Sequence, residues 1–379
     1  MNVLTGHSVD RDAKAAVAEA TKDWDPSLCP EILFVFASTA QDSHVVASEL
    51  ASKFPKTMIV GCTSTGEHVT GRHLSGSLVL SGLCNTGIRW AVSVTRTLSA
   101  FGAKDADAVA AELFGKLGVN TEDMDTSEYF CLSFMDGLRT KEEWVGALVA
   151  DALQGVRMVG GSAGDDLAFK ETRIIINGES ITDAGAFVLG HGKGAFQILK
   201  TQHFTTTPRQ VAVTKVDLTA RRVLEIDGLP ALEGYARALG MKREEVTSDV
   251  TFMNPLTFSC NGQIYVRAIA KVDDDGSFVF YSAVEEGMVL EIGSHHDLVE
   301  ATKTDLDAMM KSGGQFDFFL GYNCILRALE ADKTKQAVDV AGLWASASKA
   351  TLGFDTYGEF LDGVQISQTL VGIGFHGVS

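Results

Sequence analysis

Long apolar runs, paired cysteines and clustered basic residues are all missing from this chain of 379 residues. No stretch of about 18 apolar residues occurs, so no membrane-spanning helix is expected. The opening Met1-Asn2-Val3-Leu4-Thr5-Gly6-His7 lacks the basic and apolar segments of a secretory signal, which makes the cytoplasm the expected location. Six cysteines stand at 29, 62, 84, 131, 260 and 324 with no CxxC pair. That scatter argues against a zinc knot or a disulfide framework, and each cysteine reads as a small buried apolar residue. Lys and Arg number 32 against 49 Asp and Glu, a net charge of -17 that would repel nucleic acid and anionic membrane. No Lys-Ser or Lys-Thr pair follows the glycine cluster at 160–164, so it is not a phosphate loop. The same cluster is read as following a helix, whereas a nucleophile elbow needs strand, turn and helix, and no catalytic residue is assigned.

What the chain does have is 45% hydrophobic and 21% charged residues, the balance of a globular protein able to bury a core. Its length suggests two domains, here 1–210 and 211–379. The central stretch is Met158-Val159-Gly160-Gly161-Ser162-Ala163-Gly164-Asp165-Asp166, read as a glycine hinge between a helix and a strand. Its glycines permit close backbone approach, and Ser162, Asp165 and Asp166 bring hydroxyl and carboxylate groups. Gly61-Cys62-Thr63-Ser64-Thr65-Gly66-Glu67 has a similar make-up after the apolar run 58–60, and two such loops suggest one pocket.

Periodicity places a helix over 13–20, a buried strand over 32–36, a helix over 42–53 and a strand over 57–60, a β-α-β order that implies parallel neighbours. Runs 78–83 and 88–94 around Asn85-Thr86-Gly87 read as a hairpin. Later strands are expected at 129–134, 173–180, 184–189, 196–204, 211–216, 223–226, 257–260, 264–272, 277–282, 316–322, 353–360 and 369–375. Helices are expected at 105–117, 141–153, 231–239 and 297–311, with a further one starting at 323. Asp273-Asp274-Asp275-Gly276 lacks the spacing of a calcium loop and reads as a tight turn. The expected class is mixed α/β (α+β), with two mixed β-sheets and helices packed on their outer faces.

The two glycine stretches, with Asp227-Gly228-Leu229-Pro230-Ala231, Glu285-Glu286-Gly287, Asn323-Cys324-Ile325-Leu326-Arg327 and Thr356-Tyr357-Gly358-Glu359-Phe360, resemble the FIST domain family in order over about residues 30–375. That resemblance implies a bacterial sensor of small molecules rather than an enzyme. It implies a FIST N-like region at 1–210 and a FIST C-like region at 211–379. Ile366-Ser367-Gln368-Thr369 departs from the more polar, asparagine-containing stretch expected there. Gln202-His203-Phe204-Thr205-Thr206 resembles the NosP branch, haemoproteins that sense nitric oxide. This implies haem b with His203 as iron ligand and with Phe204 and Phe196 packed on the porphyrin.

On residue pattern alone, a lone histidine at a strand end is more often a core or surface residue. The alternative sensor binds a small polar metabolite such as an amino acid through Cys62, Thr63, Ser64, Gly160, Gly161, Ser162, Asp165, Asp166 and Arg327. A third reading makes Cys62 or Ser162 a nucleophile. His295 and His296, His44 and His191 read as surface residues, and His68 and His73 as a polar loop rather than a metal or propionate site. No output domain is expected, so signalling would pass to a histidine kinase or cyclic-di-nucleotide enzyme, or through a change of homo-oligomer.

Overall fold

The computed structural model describes residues 1–260 and 262–377, and the Cys260 side chain lies outside the described part. The chain forms two compact units. The larger comprises Met1–Thr201, Thr302–Gln365 and Leu370 onward; the smaller comprises Gln202–Ala301 with Ile366–Thr369. Along the chain, residues 202–301 of the smaller unit fall between two segments of the larger.

The larger unit is built from one motif used three times. Its first copy runs β1 (Asn2–Ser8), α1 (Ala13–Ala20), β2 (Ile32–Ser38), α2 (Ser43–Lys53), β3 (Met58–Ser64), β4 (Glu67–Val69), β5 (Arg72–Leu74) and β6 (Leu78–Cys84). The second runs β7 (Arg89–Thr95), α3 (Ala103–Leu117), β8 (Tyr129–Met135), α4 (Glu142–Ala152), β9 (Arg157–Ser162), β10 (Ile174–Ile176), β11 (Glu179–Ile181) and β12 (Gly185–His191). The third opens with β13 (Phe196–Gln202) and is then interrupted by the smaller unit.

In the smaller unit lie β14 (Phe204–Asp217), β15 (Arg222–Ile226), β16 (Leu229–Pro230), α5 (Ala231–Leu239), α6 (Ser248–Met253), β17 (Leu256–Cys260), β18 (Gln263–Arg267), β19 (Ile269–Val272), β20 (Phe278–Phe280) and β21 (Val289–His295). They form one antiparallel sheet in the order β18-β17-β21-β14-β15-β20-β19, with β16 beside β15. Its core gathers Val211, Val223, Ile226, Tyr235, Phe278 and Leu290. The expected aspartate turn joins β19 to β20, closed by Gly276 N–H donating to the Asp273 carbonyl at 2.8 Å.

The third copy then resumes with α7 (Leu298–Gly313), β22 (Phe316–Cys324), α8 (Ile325–Thr334), α9 (Ala337–Ala347), β23 (Ser348–Thr356), β24 (Glu359–Leu361), β25 (Val364–Ile366) and β26 (Thr369–Phe375).

Each copy makes its own four-stranded core, β1-β6-β2-β3, β7-β12-β8-β9 and β13-β26-β22-β23, and each is completed by a short hairpin from another copy. β10-β11 extends the first sheet, β24-β25 the second and β4-β5 the third, so the exchange runs in a circle. One backbone bond repeats at each junction. Thr63 N–H donates to Arg173 O at 2.9 Å, Ser162 N–H to Gly358 O at 2.8 Å, and Asp355 N–H to Gly66 O at 2.8 Å.

The residues explain this arrangement. The central pairs β2/β3, β8/β9 and β22/β23 are parallel and covered on both faces, which is why they read as continuous apolar runs. On one side α1 and α2 cover the first sheet, and α3 and α4 the second. On the inner side the equivalent residues Phe36, Phe134 and Tyr322 meet, with ring centroids 6.0 Å and 5.7 Å apart for successive pairs. Gly61, Gly160 and Gly353 sit opposite Val35, Ser133 and Gly321 on the parallel neighbours. A Cβ there would lie 1.6, 2.2 and 2.5 Å from the facing carbonyl oxygens, so only glycine allows the strands to pair.

The mixed architecture is the expected one, distributed over four sheets rather than two. Three sequence expectations are corrected. A strand, β1, precedes the first helix. Residues 157–162 are strand β9 and not a hinge, because Gly160 serves strand packing. β6 and β7 are not a hairpin: β6 pairs with β1 and β2, and β7 with β12. Asn85 (φ 51°) and Gly87 (φ 70°) do make a sharp turn, but it carries the chain from one copy of the motif into the next. Cys29 is exposed, while Cys62, Cys84, Cys131 and Cys324 are buried.

Candidate functional site

Ligands of α/β sheets bind beyond the carboxyl ends of parallel strands. In the larger unit those ends belong to β2/β3, β8/β9 and β22/β23, and the segments leaving them are tied together by the junction bonds.

The segment 163–173, which follows β9, is held from two sides. The Asp165 carboxylate accepts from the amides of Phe169 (2.9 Å), Lys170 (2.6 Å) and Glu171 (2.9 Å). The Tyr357 hydroxyl donates to Asp165 and accepts from Leu167 N–H at 3.0 Å. The exposed Asp166 reaches the end of β2, where it accepts from Ser38 Oγ (2.9 Å), the Thr39 amide (2.8 Å) and the Thr39 hydroxyl. Asp166 (φ 54°), Leu167 (φ 63°) and Phe169 (φ 50°) all occupy the left-handed region. Phe169 is 54% exposed and stacks on Tyr357 at 4.8 Å.

The two glycine stretches do meet: Gly164 N–H donates to Thr63 O at 3.0 Å and Asp166 N–H to Ser64 O at 3.3 Å. Most of the residues expected to touch a ligand there have a partner inside the protein. Thr63 Oγ1 accepts from the Arg173 amide at 3.0 Å, and Ser64 Oγ donates to Glu67 at 2.6 Å. Glu67 also accepts from Ser77, and burial pushes its carboxyl up to about 7. Gly161 packs against Thr356 and Tyr322. Burial pushes the Cys62 thiol well above its ordinary range, which removes the thiolate a nucleophile needs. Ser162 Oγ is buried with no hydrogen-bond partner among the described residues. Ser162 ends a strand that leads into an irregular segment with a turn at 166–167, so it lacks the helix of a nucleophile elbow.

Arg327 belongs to a different network. Its Nε donates to Asn323 Oδ1 at 3.2 Å and its Nη2 to Thr302 Oγ1 at 2.7 Å, and burial lowers its pKa to about 10. Asn323 Nδ2 donates to Asp355 Oδ1 at 2.7 Å. His68 Nε2 lies 2.8 Å from Asp355 Oδ1, and His73 Nε2 lies 2.7 Å from Oδ2. Burial disfavours charge on both imidazoles. It leaves His68 below its usual pKa, whereas the bond to Asp355 and nearby carboxylates hold the less buried His73 above. Burial alone would raise Asp355, yet the two histidines keep it well below the carboxylate range.

Asp355 was not singled out from sequence, and neither was the linkage through Asn323. The available signal was the spacing of His68 and His73 around Thr70-Gly71, which makes them a directly opposed pair across β4 and β5.

In the smaller unit His203 lies between β13 and β14 and is 1% exposed. Its ring is 4.4 Å from Phe204 and 5.2 Å from His295, edge-on to the latter. Phe196, expected beside it, starts β13 at the other end of that seven-residue strand and packs on Phe130 at 4.7 Å. His296 bonds Thr205 Oγ1 at 2.8 Å.

The fold is that of a mixed α/β protein with its connecting segments gathered at the ends of the parallel strands. The chain belongs to the FIST family: the FIST N domain matches residues 31–229 and the FIST C domain residues 231–362. FIST domains are sensory ligand-binding domains. An uncharacterized protein of Methanocaldococcus jannaschii, MJ1623, is 25% identical over 170 residues, 41% of this chain and 31% of that protein. The similarity thus spans about a third of that relative's length. A cyanuric acid hydrolase structure from A. caulinodans aligns over 99% of each chain with a TM-score of 0.39 and 9% identity. Among the described residues no helix is long and apolar enough to cross a membrane.

Proposed function

We propose that the protein is a receptor, not a catalyst, for a small polar metabolite such as an amino acid. The ligand binds at the strand ends beneath segment 163–173. Occupancy is read by a separate protein, a histidine kinase or a cyclic-di-nucleotide enzyme. The observation that supports this most is the set of left-handed, non-glycine residues Asp166, Leu167 and Phe169 in a segment fastened by polar contacts. Strain of this kind, on the order of 1–3 kcal/mol per residue, persists where surrounding contacts over-determine it and is concentrated at clamps and switches. An amine competing for Asp166 would release the bonds to Ser38 and Thr39, freeing the segment to rearrange around the ligand.

A thermal-shift screen of amino acids and small polar metabolites tests this. A ligand at a hundred times its Kd adds about 2.7 kcal/mol of stability. The expected hit raises the Tm of the wild type and has no effect on Asp166→Ala. A library without hits, or a hit that stabilises both proteins equally, would remove the reading.

A second reading is haem at His203, favoured by the enclosed imidazole next to Phe204. The donor chemistry fits an axial iron ligand. The space does not fit as packed, because a porphyrin enters only if Phe204 or His295 turns away. Bound ferrous haem would supply the nitric oxide site, and this chain would supply His203. Absorption spectra of haem-reconstituted wild type and His203→Ala, reduced, with and without nitric oxide, decide it. A Soret band that shifts with nitric oxide and is lost in the variant supports haem; an equal band in both rejects His203 as ligand.

A further inference from the structure

We propose that His68, His73 and Asp355 bind one divalent transition-metal ion of the zinc class, a site separate from the one beneath segment 163–173.

The geometry brings two imidazole nitrogens and both oxygens of one carboxylate to a point. The ligand atoms of the three residues all lie within 4.8 Å of one another. The Nε2–oxygen separations are 2.8 and 2.7 Å. A tetrahedral zinc ion with bonds of about 2.0–2.1 Å needs its ligand atoms roughly 3.3 Å apart, so each nitrogen–oxygen pair opens by about half an ångström when the ion enters. His73 can supply that movement, since its side chain is 17% exposed while those of His68 and Asp355 are 5% and 1% exposed. The same exposure leaves an approach for the ion and a position open for water. Two imidazoles and one carboxylate suit zinc and its neighbours; calcium and magnesium favour all-oxygen sets.

Surrounding residues hold the ligands in place. His68 stacks on the buried Trp344 at 4.4 Å and on His73 at 4.4 Å. Asn323 donates to Asp355 and is itself held by Arg327. Such outer contacts orient metal ligands.

A structural role for the cluster is the competing explanation, and the threefold repeat weighs it. Gly353 pairs with His68, Gly61 with Ile175 and Gly160 with Phe360, which fixes the equivalent positions at the three junctions. Where one junction has Asp355, His68, His73 and Asn323, the second has Thr63, Ile175, Ser180 and Ala37. The third has Ser162, Phe360, Gln365 and Met135. The backbone joins in the same way at all three, with the same junction bond. Two junctions therefore close without any ionisable group at these positions, so the backbone junction itself does not call for the histidines or the aspartate.

The test uses the full chain after chelator treatment, titrated with Co²⁺ and Zn²⁺. The wild type is expected to take up one ion per chain by elemental analysis and to show visible d–d bands with cobalt. His73→Gln installs the residue found at the equivalent Gln365, so it keeps the fold, checked by circular dichroism and Tm, and loses the bands. His68→Gln loses them too, and Asn323→Ala weakens binding 10–100-fold as a positioning residue. Absence of stoichiometric uptake by the wild type, or uptake unchanged in both histidine variants, would overturn the proposal.

Discussion

Gly61→Ala unfolds the larger unit or leaves it too unstable to isolate. The added Cβ would lie 1.6 Å from the Val35 carbonyl oxygen and 2.6 Å from its carbon, atoms of a backbone that no rotamer change can move. Both strands are central and parallel, with β2 buried throughout and β3 buried from Ile59 on. An ordinary overpacked side chain costs about 1–3 kcal/mol because neighbours can shift. Here relief would require separating β2 from β3, breaking their ladder and the junction bond from Thr63 to Arg173. A loss of more than about 4–5 kcal/mol is expected, a large part of the stability of most domains. Soluble yield and urea unfolding measure it, and an alanine variant within 1 kcal/mol of wild type would show that the strands do not approach as described. Gly71→Ala, in a turn where the nearest neighbour is 3.4 Å away, carries only the strain of its φ of 75°.

Asp355→Ala is the second large effect. The carboxylate is 1% exposed and receives bonds from His68, His73 and Asn323. Truncation leaves three polar groups, the His68 and His73 ring nitrogens and the Asn323 amide, facing a void. Each buried polar group left unpaired costs about 1–3 kcal/mol. The surface pair Arg96–Glu179, with side chains 58% and 56% exposed, provides the contrast: Glu179→Ala should leave the urea midpoint essentially where it is. Urea midpoints at unchanged m-value separate the two. Equal effects would mean that the Asp355 network is solvated.

Much of the fold was legible because its signals are local. The apolar run 32–36 and the helices 42–53 and 231–239 declare themselves within a few residues, although the cap of the first helix is Asp42 rather than Ser38 or Thr39. Strand partnership is different. The turn at Asn85-Thr86-Gly87 was readable, but whether the strands it joins pair is decided by β1 and β12, far away in sequence. α9 was missed because its apolar sequence, Ala337–Ala347, carries little periodicity to separate helix from strand.

The repeat was also present in the sequence. Gly61 to Leu83 aligns without a gap onto Gly353 to Phe375, matching Ser64-Thr65-Gly66-Glu67 with Thr356-Tyr357-Gly358-Glu359. Both Ser64 and Thr356 donate to the glutamate three residues on. The second copy hides the pattern by the extra residues between Ser162 and Ile174, the same segment that supplies Asp165 and Asp166. The glycine stretches therefore owe their resemblance to each other to equivalent places in one motif. The metal-type cluster draws Asp355 from the third copy and its histidines from the first, a juxtaposition that no local pattern contains.

Ligand binding beneath segment 163–173 is most directly tested by hydrogen exchange in the presence of a stabilising metabolite. The amides of Phe169, Lys170 and Glu171, which donate to Asp165, should change their exchange rate at least about tenfold, a coupling of roughly 1.4 kcal/mol, while those of β8 stay as they are. A bound metabolite that leaves those three amides untouched, or protects the whole chain evenly, would contradict a site at these strand ends.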